Sequence, residues 1–389
     1  QRNVELMWLT GRLTPDHKTI ANFRKDNGKS IRNVCRQFVV LCQQLSFFTE
    51  ALVAIDGSKF KAVNNRDRNF TSAKLQRRME EIESSINRYL TELDTADRQE
   101  PAVAQARSER LQDKIATLKA QMKELQAIEV QLNATPDKQI SLTDPDARSM
   151  KTRGTGIVGY NVQTAVDAKH HLIVAHEVTN IGIDRDQLSS MAKSARAAMG
   201  VADLTVIADR GYFKGEEILA CHEAGIHAIV PKTTTSGAKA AGRFDRADFI
   251  YDAEKNEYCC PAGDHLIWRY ASRQDGLLQN RYWSSNCQRC AIKEKCTPST
   301  KRRITRWEHE GVLMAMQNRL DHAPDSMRIR RQTVEHPFGT LKLWMGSAHF
   351  LTRTLDRVST EMGLHVLAYN LKRVMKILGN ESLMEAMRA

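Results

Sequence analysis

Two short apolar runs constrain the fold of this 389-residue chain more than any other feature. Leu52-Val53-Ala54-Ile55 and Leu204-Thr205-Val206-Ile207-Ala208 are too short for helices. Each runs straight into a carboxylate, Asp56 before Gly57 and Asp209 before Arg210-Gly211. Such runs read as buried strands that deliver an acidic side chain at their tips. Residues 159–167 and 171–178 alternate around a turn at 168–170 and read as a hairpin, with Asp167 as a turn residue. Helices over 186–198 and 215–224 then alternate with the second apolar run and with Ala228-Ile229-Val230. A hairpin followed by alternating strands and helices predicts an α/β fold, a mixed sheet covered by helices.

The flanking segments differ in kind. Residues 1–50 read as an all-helical region, with Thr14 as N-cap before Pro15, a stop at Asn27-Gly28 and a new start at Ser30. The chain opens at Gln1 on helix-like sequence, which suggests that an N-terminal piece precedes it. Residues 73–134 carry two long apolar stripes, Met79 to Leu93 and Leu111 to Leu132, separated by a polar stretch with Pro101, and predict a helical hairpin inserted into the core. Structural, dimerising and DNA-clamping roles are all open to it. Residues 236–308 form a Cys-rich insertion, and residues 309–389 return to helix and complete a core built from residues 51–72 and 135–235.

Lys and Arg number 58 against 46 Asp and Glu, a net charge of +12, which favours a polyanionic partner. No apolar run approaches the length of a membrane helix, and no signal-peptide pattern opens the chain. Eight Cys without a secretory signal point to a reducing compartment.

A third carboxylate, Glu335, fronts a late helical segment, Arg331-Gln332-Thr333-Val334-Glu335-His336-Pro337-Phe338-Gly339. Asp56, Asp209 and Glu335 converging from two strand ends and a helix would hold Mg²⁺ or Mn²⁺, since hard cations take oxygen ligands. Two such ions suit in-line phosphoryl displacement. Asp144 and Asp146, in an Asp-Pro-Asp turn, are the runners-up for metal binding.

The runs Asp56-Gly57-Ser58-Lys59-Phe60-Lys61-Ala62, Gly159-Tyr160-Asn161-Val162-Gln163, Ala208-Asp209-Arg210-Gly211-Tyr212 and Glu335-His336-Pro337-Phe338-Gly339 resemble, in order, the DDE transposases of bacterial insertion sequences. They look closest to the IS1182 group among IS4- and IS5-like relatives. The resemblance implies a ribonuclease-H-like mixed sheet with flanking helices, and Asp56, Asp209 and Glu335 as the catalytic, metal-binding triad. It implies double-stranded DNA as partner, at element ends and target, with metal-dependent cleavage followed by strand transfer. A homodimer on paired ends and a bacterial cytoplasmic, nucleoid-associated setting follow by analogy, as does further helical sequence at the N-terminus. The family's last motif is Tyr, two residues, Arg, three residues, Glu, six residues, Lys. Arg331, Glu335 and Lys342 match it, whereas the Tyr position holds Arg328. Arg331 and Lys342 are thereby DNA-contacting candidates, and an arginine at 328 retains the capacity to bind phosphate. Pro337 leaves open whether one smooth helix aligns them. A non-joining nuclease and an inactive, DNA-binding descendant are the alternative readings.

Five of the eight Cys lie between residues 259 and 296. Cys260, Cys287, Cys290 and Cys296 can supply four thiolates to a structural Zn²⁺, with Cys259 competing for the place of Cys260. Cys35, Cys42 and Cys221 read as core. Arg269, Arg273, Arg281, Lys301, Arg302, Arg303 and Arg306, interleaved with Trp268, Trp283 and Trp307, can contact DNA, or the tryptophans can simply pack the insertion.

Overall fold

The computed structural model describes residues 7–8, 10–65, 68–96, 101–152, 154, 156–232 and 237–388. In chain order it contains helices α1 (His17–Asp26) and α2 (Gly28–Gln44), strands β1 (Leu52–Lys61) and β2 (Asn69–Thr71), and helices α3 (Ser72–Ala96) and α4 (Pro101–Ala134). Strands β3 (Gln139–Ser141), β4 (Arg148–Met150), β5 (Ile157–Asp167) and β6 (Ile173–Thr179) follow, then α5 (Leu188–Met199), β7 (Leu204–Ile207), α6 (Gly215–Glu223) and β8 (Ile226–Ile229). A second group of strands comprises β9 (Ile250–Asp252), β10 (Glu257–Cys259), β11 (His265–Gln274), β12 (Leu277–Trp283) and β13 (Ile304–Trp307). Helices α7 (Glu310–His322) and α8 (Ser326–Gly339), a π-helical turn at Thr340–Trp344, and helices α9 (Leu355–Leu378) and α10 (Asn380–Arg388) close the chain.

The central sheet is mixed, as its sequence pattern predicts. Its order is β4-β5-β1-β7-β8, with β6 also on β5. Strand β1 runs antiparallel to β5 and parallel to β7, and β7 is parallel to β8. The registers put β6 and β4 end to end along the outer edge of β5. Alternate residues face opposite layers. Val53, Ile55 and Ala165 join a core with α2, α5, α6 and α7, whereas Phe60, Tyr160, Val162 and Val166 join one with α8 and α9. Asp56 has the parity of Phe60, so it faces the α8 layer.

Helices α3 and α4 share a core of Leu75, Ile82, Leu125 and Leu132. Strands β2 and β3 pair antiparallel at their base, Phe70 opposite Ile140, so the two helices leave and return at one point. The Cys-rich segment, which carries few helical stripes in sequence, folds as its own antiparallel sheet, β13-β12-β11-β10-β9. Among the described residues no helix is long and apolar enough to cross a membrane.

Several local expectations are corrected. The first helix is capped by Asp16, whose Oδ1 accepts from the Thr19 amide at 2.7 Å, rather than by Thr14; Pro15 precedes the cap. Helix α2 starts at Gly28, before Ser30, with no side-chain cap. Asp56 does not end its strand. Strand β1 continues to Lys61, with Gly57 opposite Gln163. The Asp-Gly pair reads as a turn, but here glycine serves close packing: a Cβ at residue 57 would lie 2.5 Å from Asp184 Oδ1 and closer still to the Gln163 amide. Helix α8 runs unbroken through Pro337 into the π-helical turn.

Gly57→Ala is therefore expected to lower stability by about 1–3 kcal/mol, the usual cost of overpacking. Urea denaturation would show a lower midpoint at unchanged slope. A midpoint equal to wild type would mean that Gln163 and Asp184 can move aside.

Candidate active site

Asp56 and Asp209 come together because their strands are neighbours. The register aligns Ala54 with Ile207, the last residue of β7, and Asp209 follows two residues on at the level of Asp56. Asp209 caps the short 3₁₀ turn Arg210–Tyr212, its Oδ1 accepting from the Gly211 amide at 2.7 Å. Asp56 Oδ1 accepts from the Gly57 amide at 2.9 Å.

A cation stands between the two carboxylates. Arg330 on α8 places Nη2 2.5 Å from Asp56 Oδ1 and 3.6 Å from Asp209 Oδ2. The side chain of Arg330 is 14% exposed, that of Asp56 24% and that of Asp209 48%. Burial pushes the Asp56 carboxyl up to about 6; Arg330 pulls it down, and the charges of Asp209 and Asp184 raise it further.

The opposite face of β1 carries a polar network. Asp184 Oδ1 accepts from Asn161 Nδ2 at 2.7 Å and from Gln163 Nε2 at 2.6 Å, and Lys59 Nζ lies 3.3 Å away. The Tyr212 hydroxyl donates to Gln163 Oε1. This ties β1 and β5 to the turn that follows Asp209. Burial, with the charges of Asp184, Asp56 and Asp209, raises the Tyr212 hydroxyl well above its ordinary value, so it remains a donor.

The other expected residues are placed less uniformly. Glu335 is exposed on α8, and among the described residues it makes neither an ion pair nor a hydrogen bond. Arg331 is also exposed, and Arg328 pairs with Asp325 at 3.2 Å. Lys342 turns inward: its Nζ donates to Ser58 Oγ at 2.6 Å and to the Lys59 carbonyl at 2.9 Å, and it lies 4.4 Å from the Phe60 ring centre. Burial lowers the Lys342 ammonium from its ordinary value, against the opposing pull of Asp56. Asp144 and Asp146 do not approach the pair. Asp144 accepts from the Tyr160 hydroxyl at 2.8 Å and the Thr354 amide at 3.0 Å, and Asp146 from the Leu355 amide at 2.8 Å. They satisfy amides at the start of α9, which removes them as alternative metal ligands. Asp167 accepts from the His170 amide at 2.6 Å, the expected turn contact.

Cys260, Cys287, Cys290 and Cys296 line one cleft of about 600 Å³, and Cys259 is not among its lining residues. Burial raises the Cys296 thiol, and the other three cysteines add to this. Among the described residues no three His, Cys, Asp or Glu side chains are grouped closely enough to hold a metal, in this cleft or around Asp56. Cys35, Cys42 and Cys221 are buried in the core. Trp307 is buried, while Trp283 is ringed by Arg269, Lys301 and Arg303 at 5.5, 4.2 and 5.7 Å.

Two participants escape the sequence reading, Arg330 and Asp184. Arg330 is the lone cation on the α8 stripe of Ser326, Thr333, Val334 and Pro337, all buried. That spacing could have singled it out. Asn161 and Gln163, amides in an otherwise apolar strand, signalled a buried partner without naming Asp184.

Against known families, residues 121–371 match the model of the transposase DDE domain. No curated protein matches the chain.

The Asp56 carboxyl is raised in the folded state, so the folded chain holds this proton where the unfolded chain has lost it. Its contribution to stability is full below the unfolded value and is lost as pH rises through about 6. Asp56→Asn should therefore gain on wild type by about 1–3 kcal/mol between pH values of roughly 4 and 7. Urea unfolding of both proteins at each pH measures this, and parallel pH profiles would show that Asp56 is not desolvated.

Proposed function

Because the chain belongs to the DDE transposase family, we propose that it cuts DNA at the ends of an insertion sequence and joins the freed 3′ ends to target DNA. Asp56, Asp209 and Glu335 serve as the metal-binding carboxylates. The observation that carries this is the pairing of Asp56 with Asp209 around a cation. A position that demands positive charge and offers hard oxygen donors fits Mg²⁺ or Mn²⁺. When bound, two such ions supply activation of the attacking oxygen and stabilisation of the leaving one. Glu335, the third carboxylate that the resemblance supplies, lies on the exposed side of α8 and would complete the ligand set.

The remaining residues would position and neutralise. Lys342 fixes the π-helical turn to β1 beside Asp56. Arg331 and Arg328, exposed one turn apart on α8, can reach backbone phosphates. A ribonuclease-H-like core is part of the same proposal, supported by the order β6-β5-β1-β7-β8 with β5 antiparallel to β1. Within the family, the ordered motifs favour the IS1182 group. Action on paired DNA ends implies a second copy, and the substrate implies the bacterial cytoplasm and nucleoid. A non-joining nuclease or an inactive DNA-binding descendant would be recognised by the absence of strand-transfer products.

Asp56→Asn, Asp209→Asn and Glu335→Gln should each reduce Mg²⁺-dependent cleavage of an element-end duplex to background, with DNA binding by gel shift largely retained. Near-normal cleavage in any of the three would remove that residue from the ligand set.

We also propose that Cys260, Cys287, Cys290 and Cys296 hold a structural zinc ion. Four thiols around one cleft, in a segment with a small core of its own, support this. The purified protein should carry about one zinc per chain by elemental analysis, and Cys287→Ser with Cys290→Ser should remove it. A zinc-free wild type that keeps its fold and its melting temperature in chelator would refute the site.

A further inference from the structure

We infer that Arg330 is an internal counter-ion that occupies the metal position of this site and must be displaced when a divalent cation binds. The inference rests on the carboxylate-pair reading above and adds a residue to which no metal role is assigned.

The geometry comes first. One guanidinium nitrogen lies 2.5 Å from Asp56 and 3.6 Å from Asp209, so a single charge bridges both acids. A divalent ion shared by these carboxylates would need the same space, and two cations there would repel.

Packing gives the second observation. Arg330 sits on the buried stripe of α8, beside Thr333 and Val334. A charge in such a place persists only when it is paired. Conversely, the guanidinium supplies positive charge between the two carboxylates. Arg330 therefore stabilises the metal-free site.

The quality of the contact is the third. A guanidinium carries five donors in a rigid fork. Yet Arg330 Nε and Nη2 have no aligned hydrogen-bond partner among the described residues. The arginine is held by charge rather than by a bidentate fork, and a competing cation can replace charge. Asp56 and Asp209 bind metal at the expense of Arg330, so the two occupancies are coupled negatively and reciprocally.

The test measures Mn²⁺ binding to the full chain, by the electron paramagnetic resonance signal of free Mn²⁺, at fixed pH and ionic strength. R330Q should bind Mn²⁺ at least about fivefold more tightly than wild type, the lower range of a coupling between sites. R330K, which keeps the charge, should stay within about twofold of wild type. Tighter binding is a result that loss of structure does not produce. Should R330Q fail to fold by circular dichroism, R330M supplies the same measurement with the stem retained.

Equal or weaker binding in R330Q, with binding lost in D56N, would overturn the counter-ion role alone. No Mn²⁺ bound by any variant, or binding unaffected by D56N, would overturn the carboxylate-pair reading and the counter-ion with it.

Discussion

One arginine bridges two carboxylates set side by side just beyond the paired stretch of β1 and β7, and much of this structure is arranged around that contact. Parallel pairing of β1 with β7 ends two residues before Asp56 and Asp209 and so brings them side by side. Helix α8 must then present a positive group to the face that Asp56 occupies, and Arg330 does so. Its position on the helix decides which other residues can face the sheet. The buried neighbours of Arg330 are Thr333, Val334 and Pro337, and the π-helical turn that follows buries Leu341 in the same layer. The electrostatics of the site and the docking of the C-terminal helices are thus one constraint.

The other face of β1 answers a different need. Gly57, Lys59, Asn161 and Gln163 share that face by register, and Asp184 enters it from the segment before α5. An unpaired amide or carboxylate there would cost more than the contact contributes when made. Asp184 and Gln163 link the members of this polar network, although Asn161 Oδ1 has no partner among the described residues. The network joins two strands, a loop and the turn after Asp209, and it leaves Gly57 no room for a side chain. It meets the site through the backbone of β1 and through the fields that couple Asp184 and Tyr212 to Asp56.

How far this was legible in the sequence depends on the range of the interactions. The strands were legible because burial imposes a local period of two, and both carboxylates were picked out because apolar runs led into them. The hairpin helices were legible for the same reason at a helical period. Asp56 was misread as a strand tip because Asp-Gly has a strong local preference for turns, and only the packing of Gln163 and Asp184 overrides it. Asp144 and Asp146 read as runner-up metal ligands because the amides they satisfy lie some two hundred residues later, at Thr354 and Leu355. Arg330 was hidden among neighbouring arginines that differ only in which side of one helix they occupy.

That difference of side is the last consequence of the helix. At about 100° per residue, Arg331 and Glu335 lie four positions apart on one face, while Arg330 and Glu335 are five apart and diverge. Both arginine and glutamate therefore cannot point between Asp56 and Asp209 from a regular α8. The helix turns Arg330 inward and leaves Glu335 exposed. Pro337 cannot donate to the helix ladder, and the wider π-helical turn begins three residues later at Thr340. Lys342, bonded to Ser58 and to the Lys59 carbonyl, pins the middle of that turn to β1. The end of α8 is thus anchored to β1, beside the carboxylate pair that Arg330 bridges.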